Sequence, residues 1–385
     1  MKKRFESLDV LRGITVAFMC IVNNPGSWSH TFGMLSHASW DGCTPTDLVY
    51  PFFVFCMGCA MAFSFSKYEG NARAGAFKVI KRAFGIFLVG FLLNCFPFFP
   101  TSDGHLVFGG QEWVEWISGK RILGVLQRIA MAYLIAGLLA VWLKTPKKVG
   151  IAIGVLCVLF TGILLIFDRE PGAFTLEGCV SGRIDVALFG ENHVYHGYHY
   201  ADGTRAAFDP EGVLGSLTAA ASCLLGYLIG KLIKGTNALR ASDPSNPKAA
   251  ESYMVCRIFF WGIISIVFAE ILDNWIPINK PLWSASYVFF AGGWAMVVLA
   301  FLTFCVDILG AHKIFEPFKA MGSNALMAFI LSGVFAKCYQ FIGGQPGAAF
   351  FSQNELTSLL YAVLFALVIF CCLWPLYKKN IYIRL

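Results

Sequence analysis

The chain has 385 residues, 57% of them hydrophobic and only 14% charged; soluble domains carry about 25% charged residues, so a soluble globular fold is excluded. The formal charge of +7 sits beside apolar segments, where anionic lipid headgroups satisfy it, and it implies no nucleic-acid partner. Apolar windows of about 20 residues, enough to cross roughly 30 Å of hydrocarbon, recur in chain order at 8–25, 45–66, 79–99, 121–143, 149–167, 212–233, 254–275, 283–305, 321–342 and 356–377. They predict an all-α polytopic membrane protein of about ten transmembrane helices, forming one domain over 1–385.

Basic residues flanking spans stay on the cytoplasmic side. With both termini cytoplasmic, the segments 1–12, 67–82, 144–148, 231–257, 313–319 and 378–384 hold 22 of the 30 Lys and Arg. Stretch 25–44 holds none, and six of the seven histidines fall in exterior loops. The first span carries Asp9 and Arg12 and lacks a small-residue cleavage site, which predicts a retained helix and not a secretory signal. Eleven of the thirteen cysteines, the Cys56 and Cys59 pair included, lie within spans and act as small apolar residues; only Cys43 and Cys179 are placed to pair. The exterior insert 168–211 is close to the lower size limit for independent folding and is expected to lid the membrane core. The cytoplasmic stretch 235–252, with Asp243-Pro244-Ser245-Asn246-Pro247, reads as a flexible linker between two halves of five spans. No repeat relates those halves.

An ionisable group inside a membrane helix costs roughly 2.5 to 3.5 kcal/mol on insertion scales, so each needs a partner or a task. Asp9 and Arg12 stand three apart on one helical face, the spacing of a local ion pair. Asn23, where the first span ends, either caps the helix or donates into a pocket shared with His37. His37 lies in Ser36-His37-Ala38-Ser39-Trp40-Asp41-Gly42, a polar stretch between two spans, which places an imidazole at the outer membrane face as a candidate acid/base. Asp47, after Thr44-Pro45-Thr46, suits an N-cap, an orienter of His37, or both.

In the fourth window Lys120 and Arg121 are explained by snorkelling, whereas Arg128, two turns on and beside Gln127, should reach into the bundle to meet a carboxylate or an anionic ligand. His193-x-x-His196-x-x-His199 has no obvious acidic or cysteine co-ligand and reads as a polar loop, with no metal assigned. Asp209 and Glu211 precede the sixth span, and Asn279, Lys280 and Trp283 the eighth, all towards the outer face. With Trp40 and Asp41 they offer carboxylates and aromatic rings of the kind an aminosugar needs, although ordinary turns and an aromatic belt account for the same residues singly. Asn324 lies towards the cytoplasm.

Ser7-Leu8-Asp9-Val10-Leu11-Arg12-Gly13, Val22-Asn23, His37 through Gly42 running to Asp47-Leu48-Val49-Tyr50-Pro51-Phe52-Phe53, Gly124 through Arg128, Asp209-Pro210-Glu211-Gly212, Asn279 through Trp283 and Gly322 through Leu326 together resemble the heparan-α-glucosaminide N-acetyltransferases and their bacterial relatives among the transmembrane acyltransferases. The resemblance implies an integral protein of a bacterial inner membrane that moves acetyl from cytosolic acetyl-CoA to the amine of a glucosamine outside. It puts the active-site histidine on His37 and the asparagine on Asn23, with Asp47 as orienter. Acetyl-CoA would be met by Arg12, Lys81, Arg82, Gln127, Arg128 and Asn324, and the aminosugar by Trp40, Asp41, Asp209, Glu211, Asn279, Lys280 and Trp283. A homodimer is compatible with the resemblance. The lysosomal members carry a lumenal domain before the matched region, a departure that favours a bacterial aminosugar or glycan fragment over heparan. Some bacterial relatives are linked with N-acetylglucosamine uptake, so a carrier that moves aminosugars without chemistry is the rival reading.

The residues agree with an acyl transfer. An amine attacks a thioester only when unprotonated and so needs a base within reach, for which His37 is best placed, as base or as acetyl acceptor. The oxyanion that develops needs a donor, for which Asn23 is best placed.

Overall fold

A computed structural model describes residues 5–68, 70–102, 105–242 and 247–383. The helices are α1 (Glu6–Val22), α2 (Pro45–Ser64), α3 (Ala72–Cys95), α4 (Gly110–Ser118), α5 (Val125–Trp142), α6 (Pro146–Ile166), α7 (Val180–Phe189), α8 (Ser216–Ser242), α9 (Pro247–Asp273), α10 (Ala285–Leu302), α11 (His312–Ser323), α12 (Ala325–Cys338), α13 (Ala348–Phe351) and α14 (Glu355–Lys378). Each of the ten apolar windows falls on one of these helices or on the α11–α12 pair. Seven of the described helices are long and apolar enough to cross a membrane, and α11 with α12 makes an eighth candidate, bent by 72°. Of the other two expected spans, α1 has 17 residues and α3 carries Arg73, Lys78, Lys81 and Arg82 in its first half.

Packing follows from the small residues at the crossings. A Cβ on Gly58 of α2 would stand 1.8 Å from the Cys223 carbonyl oxygen of α8, and one on Gly226 would stand 2.0 Å from that of Phe55. The two backbones therefore touch, which only glycine permits. Gly13 and Gly322 bring α1 against α11 in the same way. Around these contacts α2, α3, α5, α6, α8 and α10 bury one apolar cluster, and α1, α12 and α14 bury another that includes Val16, Ala328 and Phe365.

Two segments differ from expectation. The stretch 235–252 is largely helical, since α8 continues through Ser242 and α9 starts at Pro247, proline being at home in a first helical turn; residues 243–246 lie outside the described residues. The insert 168–211 has its own order: α7, a two-residue strand pair (Tyr198–His199 with Arg205–Ala206), and a core in which Val180, Ala206 and Phe208 meet Phe160 and Leu164 of α6.

Candidate active site

The loop between α1 and α2 and the turn between α9 and α10 are stapled together at the lidded end. Gly42 N–H donates to the Ile278 carbonyl at 2.7 Å, and the buried Asn279 amide donates to Asp41 at 3.0 Å while its oxygen accepts from Leu282 N–H at 2.7 Å. Asn279 is thus a bracket, and Asp41 is its partner. The bracket delivers Lys280 to His37.

Asp47 sits at the third position of α2 and closes a capping box with Thr44. Its Oδ2 accepts from Ala38 N–H, Thr44 N–H and Thr44 Oγ1 at 3.1, 3.0 and 3.1 Å. Its Oδ1 lies 2.7 Å from His37 Nδ1 and 3.1 Å from Lys280 Nζ. Capping uses one carboxylate oxygen, and the other faces the ring. A carboxylate can only accept, so in the tautomer with its proton on Nδ1 the ring donates to Asp47 and Nε2 presents its lone pair. Lys280 Nζ is 2.9 Å from the same Nδ1. The carboxylate is 1% exposed and the imidazole 48%, so a buried carboxylate holds an accessible imidazole. Tyr287 O–H, donating to the Asp47 carbonyl at 2.6 Å, fixes the turn from beneath. Cys43 is no rival nucleophile, because burial pushes its thiol up to about 12.

His37 opens onto a cavity of about 140 Å³ lined also by Asn23, Lys280, Glu211, Tyr50, Thr15 and Thr46. The Asn23 backbone ends α1 by donating to the Met19 carbonyl at 3.1 Å, and its side chain is left to face the cavity. The neighbouring Asn24 has the structural task, donating to Cys20 O and Ser332 Oγ. A second cavity, of about 520 Å³, opens at the opposite end beside Asp9, Arg12 and Arg82. Both cavities are lined by Phe53, Leu126, Ile129, Ala325 and Leu326, so they abut across a septum of five apolar side chains. From Asp47 to Ser64, which lines the second cavity, α2 rises about 25 Å at 1.5 Å per residue.

Other sequence-predicted site residues lie away from these cavities. Arg121 does not snorkel: its guanidinium grips Asp209 bidentately at 2.8 and 2.6 Å, meets Glu211 and covers the Tyr195 ring. Asp209 is therefore buried and committed, while Glu211 keeps an edge on the cavity. Trp283 is no sugar platform. It is fully buried, with backbone φ 60°, and its indole N–H donates to Ser222 Oγ at 3.0 Å. Trp40 donates to the Phe174 carbonyl and packs edge-on against Tyr198 and Phe208, joining the lid to the His37 loop.

Arg128 is 1% exposed and donates to the Gly212 carbonyl at 3.1 Å; Gln127 holds the Ile122 carbonyl at 2.9 Å. It is Leu126 and Ile129, on either side of them, that reach the cavities. Asn324 breaks α11 from α12 and uses its amide on Ile381 O and Ile383 N–H. Arg12, paired with Asp9 at 3.5 Å, and Arg82, whose buried Nε has no hydrogen-bond partner, do line the second cavity; Lys81 is exposed outside it. Cys43 and Cys179 are both free. His193 Nδ1 is spent on the Lys120 carbonyl at 2.7 Å.

Asp185 of α7 braces the lid by accepting from Val213 N–H at 2.9 Å, and its other oxygen is buried without a partner. Burial pushes its carboxyl up to about 7, against the Val213 hydrogen bond and with the Asp209 carboxylate adding to the rise. Between about pH 4 and 7 the folded protein then holds a proton that the unfolded chain has lost, so stability falls as pH rises through that window. Asp185→Asn is expected to remove a slope of about 1.4 kcal/mol per pH unit, read as a flatter dependence of melting temperature on pH between 5 and 7. An unaltered slope would remove Asp185 from the account.

Residues 4–175 match the family model described as heparan-alpha-glucosaminide N-acetyltransferase, catalytic. The chain is 28% identical over 430 aligned residues to the human heparan-alpha-glucosaminide N-acetyltransferase, covering 98% of this chain and 59% of that protein. It is 26% identical over 425 residues to the mouse protein of the same name, covering 98% and 60%. The chain thus spans about three-fifths of the length of these relatives. The segment that holds the histidine against its capping aspartate is thus similar to the catalytic region of the heparan-alpha-glucosaminide N-acetyltransferases.

Proposed function

We propose that this chain is a transmembrane N-acetyltransferase that takes acetyl from acetyl-CoA on the basic, cytoplasmic side and delivers it to the amine of a glucosamine on the His37 side. The observation that carries the reading is the pair of abutting cavities, which gives a thioester and an amine separate entrances and one meeting point. Acetyl-CoA fits the larger cavity by charge: Arg12 and Arg82 stand at its mouth, and the unpartnered Arg82 Nε is a donor without an acceptor. Its acetyl thioester supplies the activated carbonyl. His37 Nε2 accepts the proton that the amine gives up as its nitrogen bonds to the acetyl carbon and the carbon–sulfur bond breaks. Asp47 keeps the ring in the required tautomer and offsets the positive charge it gains. Asn23 and Lys280 donate towards the oxyanion, and Glu211 offers a carboxylate edge to the cationic or hydroxylated sugar.

Purified protein in sealed vesicles, with labelled acetyl-CoA on one face and glucosamine on the other, should form labelled N-acetylglucosamine on the sugar side. Uptake of labelled glucosamine with no acetylation would instead support the carrier reading. Asn23→Ala should lower kcat by about 10²-fold, the scale of one lost oxyanion donor, with acetyl-CoA affinity nearly unchanged. An unchanged kcat would remove Asn23 from that role.

A further inference from the structure

A third cavity, of about 990 Å³, lies on the flank of the bundle between α6 and α9, floored by α8 and α10, and shares no lining residue with the other two. Its polar end is basic: Lys147 at the start of α6, Lys231 of α8 and Arg257 of α9, next to the small residues Gly235 and Thr236. From there the walls are apolar, through Leu228, Trp261 and Ile264 to Phe268 and Phe289. From Arg257 to Phe268 the groove runs about 16 Å along α9 at 1.5 Å per residue, the depth of one leaflet of a hydrocarbon core roughly 30 Å thick. Only 22% of the apolar window of α9 is buried within the protein, and Trp261, Ile264 and Phe268 are each more than 40% exposed.

We propose that this groove is a binding site for one anionic phospholipid of the leaflet at the basic end, with the phosphate held by Lys147, Lys231 and Arg257 and an acyl chain laid along Trp261, Ile264 and Phe268. Charge and depth select this occupant together. A cationic rim alone attracts any anion, and an apolar trench alone accepts any chain; the two joined at one leaflet's depth require an amphiphile with a negative head. A helix of a second copy would fill the trench and bring no anion to Lys147, Lys231 and Arg257, of which Lys231 now donates to the Lys144 carbonyl at 2.9 Å.

Native mass spectrometry of the full chain in mild detergent, with phosphatidylglycerol or phosphatidylcholine of identical acyl chains, tests the site. One phosphatidylglycerol should be retained in preference to phosphatidylcholine, and excess inorganic phosphate should not displace it. Lys231→Gln with Arg257→Gln should weaken retention about 25-fold, fivefold per charge. Leu228→Trp, which fills the trench and leaves the charges in place, should weaken both lipids and guards against a folding effect of the charge changes. Equal retention of the two lipids, retention indifferent to either set of substitutions, displacement by phosphate, or a dimer that excludes lipid would each overturn the proposal.

Discussion

His37→Ala is expected to lower acetyl transfer by about 10² to 10⁴-fold, the range over which a positioned general base contributes, with a melting temperature close to that of the native chain. The separation of the two effects follows from burial. The imidazole is 48% exposed, and Asp47 keeps its Thr44, Ala38 and Lys280 partners when the ring is gone. Asp47 cannot be removed so cleanly. An Asp47→Ala chain opens the Thr44 capping box and leaves the part-buried N–H groups of Thr44 and Ala38 without that acceptor, about 1 to 3 kcal/mol; it should melt lower as well as turn over slowly. Rates in vesicles and thermal melts on the same preparations distinguish the two residues. Equal turnover by His37→Ala and the native chain would discard the assigned base.

That asymmetry also shows why part of the site is legible in the sequence. Thr44-Pro45-Thr46-Asp47 states its own geometry, since a cap and the third helical residue face each other across one turn, and His37 is near enough in the chain to be drawn in by the Ala38 contact. The apolar windows are equally local, because length and composition alone make seven of the described helices, with the α11–α12 pair an eighth, candidates to cross a membrane. The partner of Arg121 is a different kind of fact. Its guanidinium meets Asp209 and Glu211 across 88 and 90 residues, and nothing in the local pattern separates an arginine that snorkels from one that is claimed by a lid. Trp283 is similar: read in its loop it suits a membrane interface, yet a left-handed turn sends the indole inward, where Ser222 of α8 accepts its hydrogen bond. Asn279 and Asn324 look like ligand contacts because buried amides are costly unless satisfied. Here backbone groups and Asp41 satisfy them, and what they position is Lys280 in one case and the chain end in the other. The glycines at α2–α8 and α1–α11 have no local signature at all, since the close approach that needs them exists only once the second helix arrives.

The septum between the cavities is where the proposed reaction can be stopped without touching a polar residue. Leu326 of α12 lines both chambers and is only partly buried, so Leu326→Trp places an indole between them. An arm that must pass from Arg12 and Arg82 to His37 is then blocked, while the binding groups at the basic mouth and the base at the other end are intact. Acetyl transfer is expected to fall by more than about 10²-fold, the scale of loss that a misplacement of about 1 Å between reacting groups brings, and acetyl-CoA affinity, measured by calorimetry in detergent, should change by less than about threefold. Leu326→Ala, which widens the same passage, should keep turnover within about threefold of native and thereby separates blockage from a general fault in packing α12. Were the tryptophan variant to transfer acetyl at the native rate, the thioester would have to reach His37 by another route, and the two abutting cavities would lose their meaning as one path.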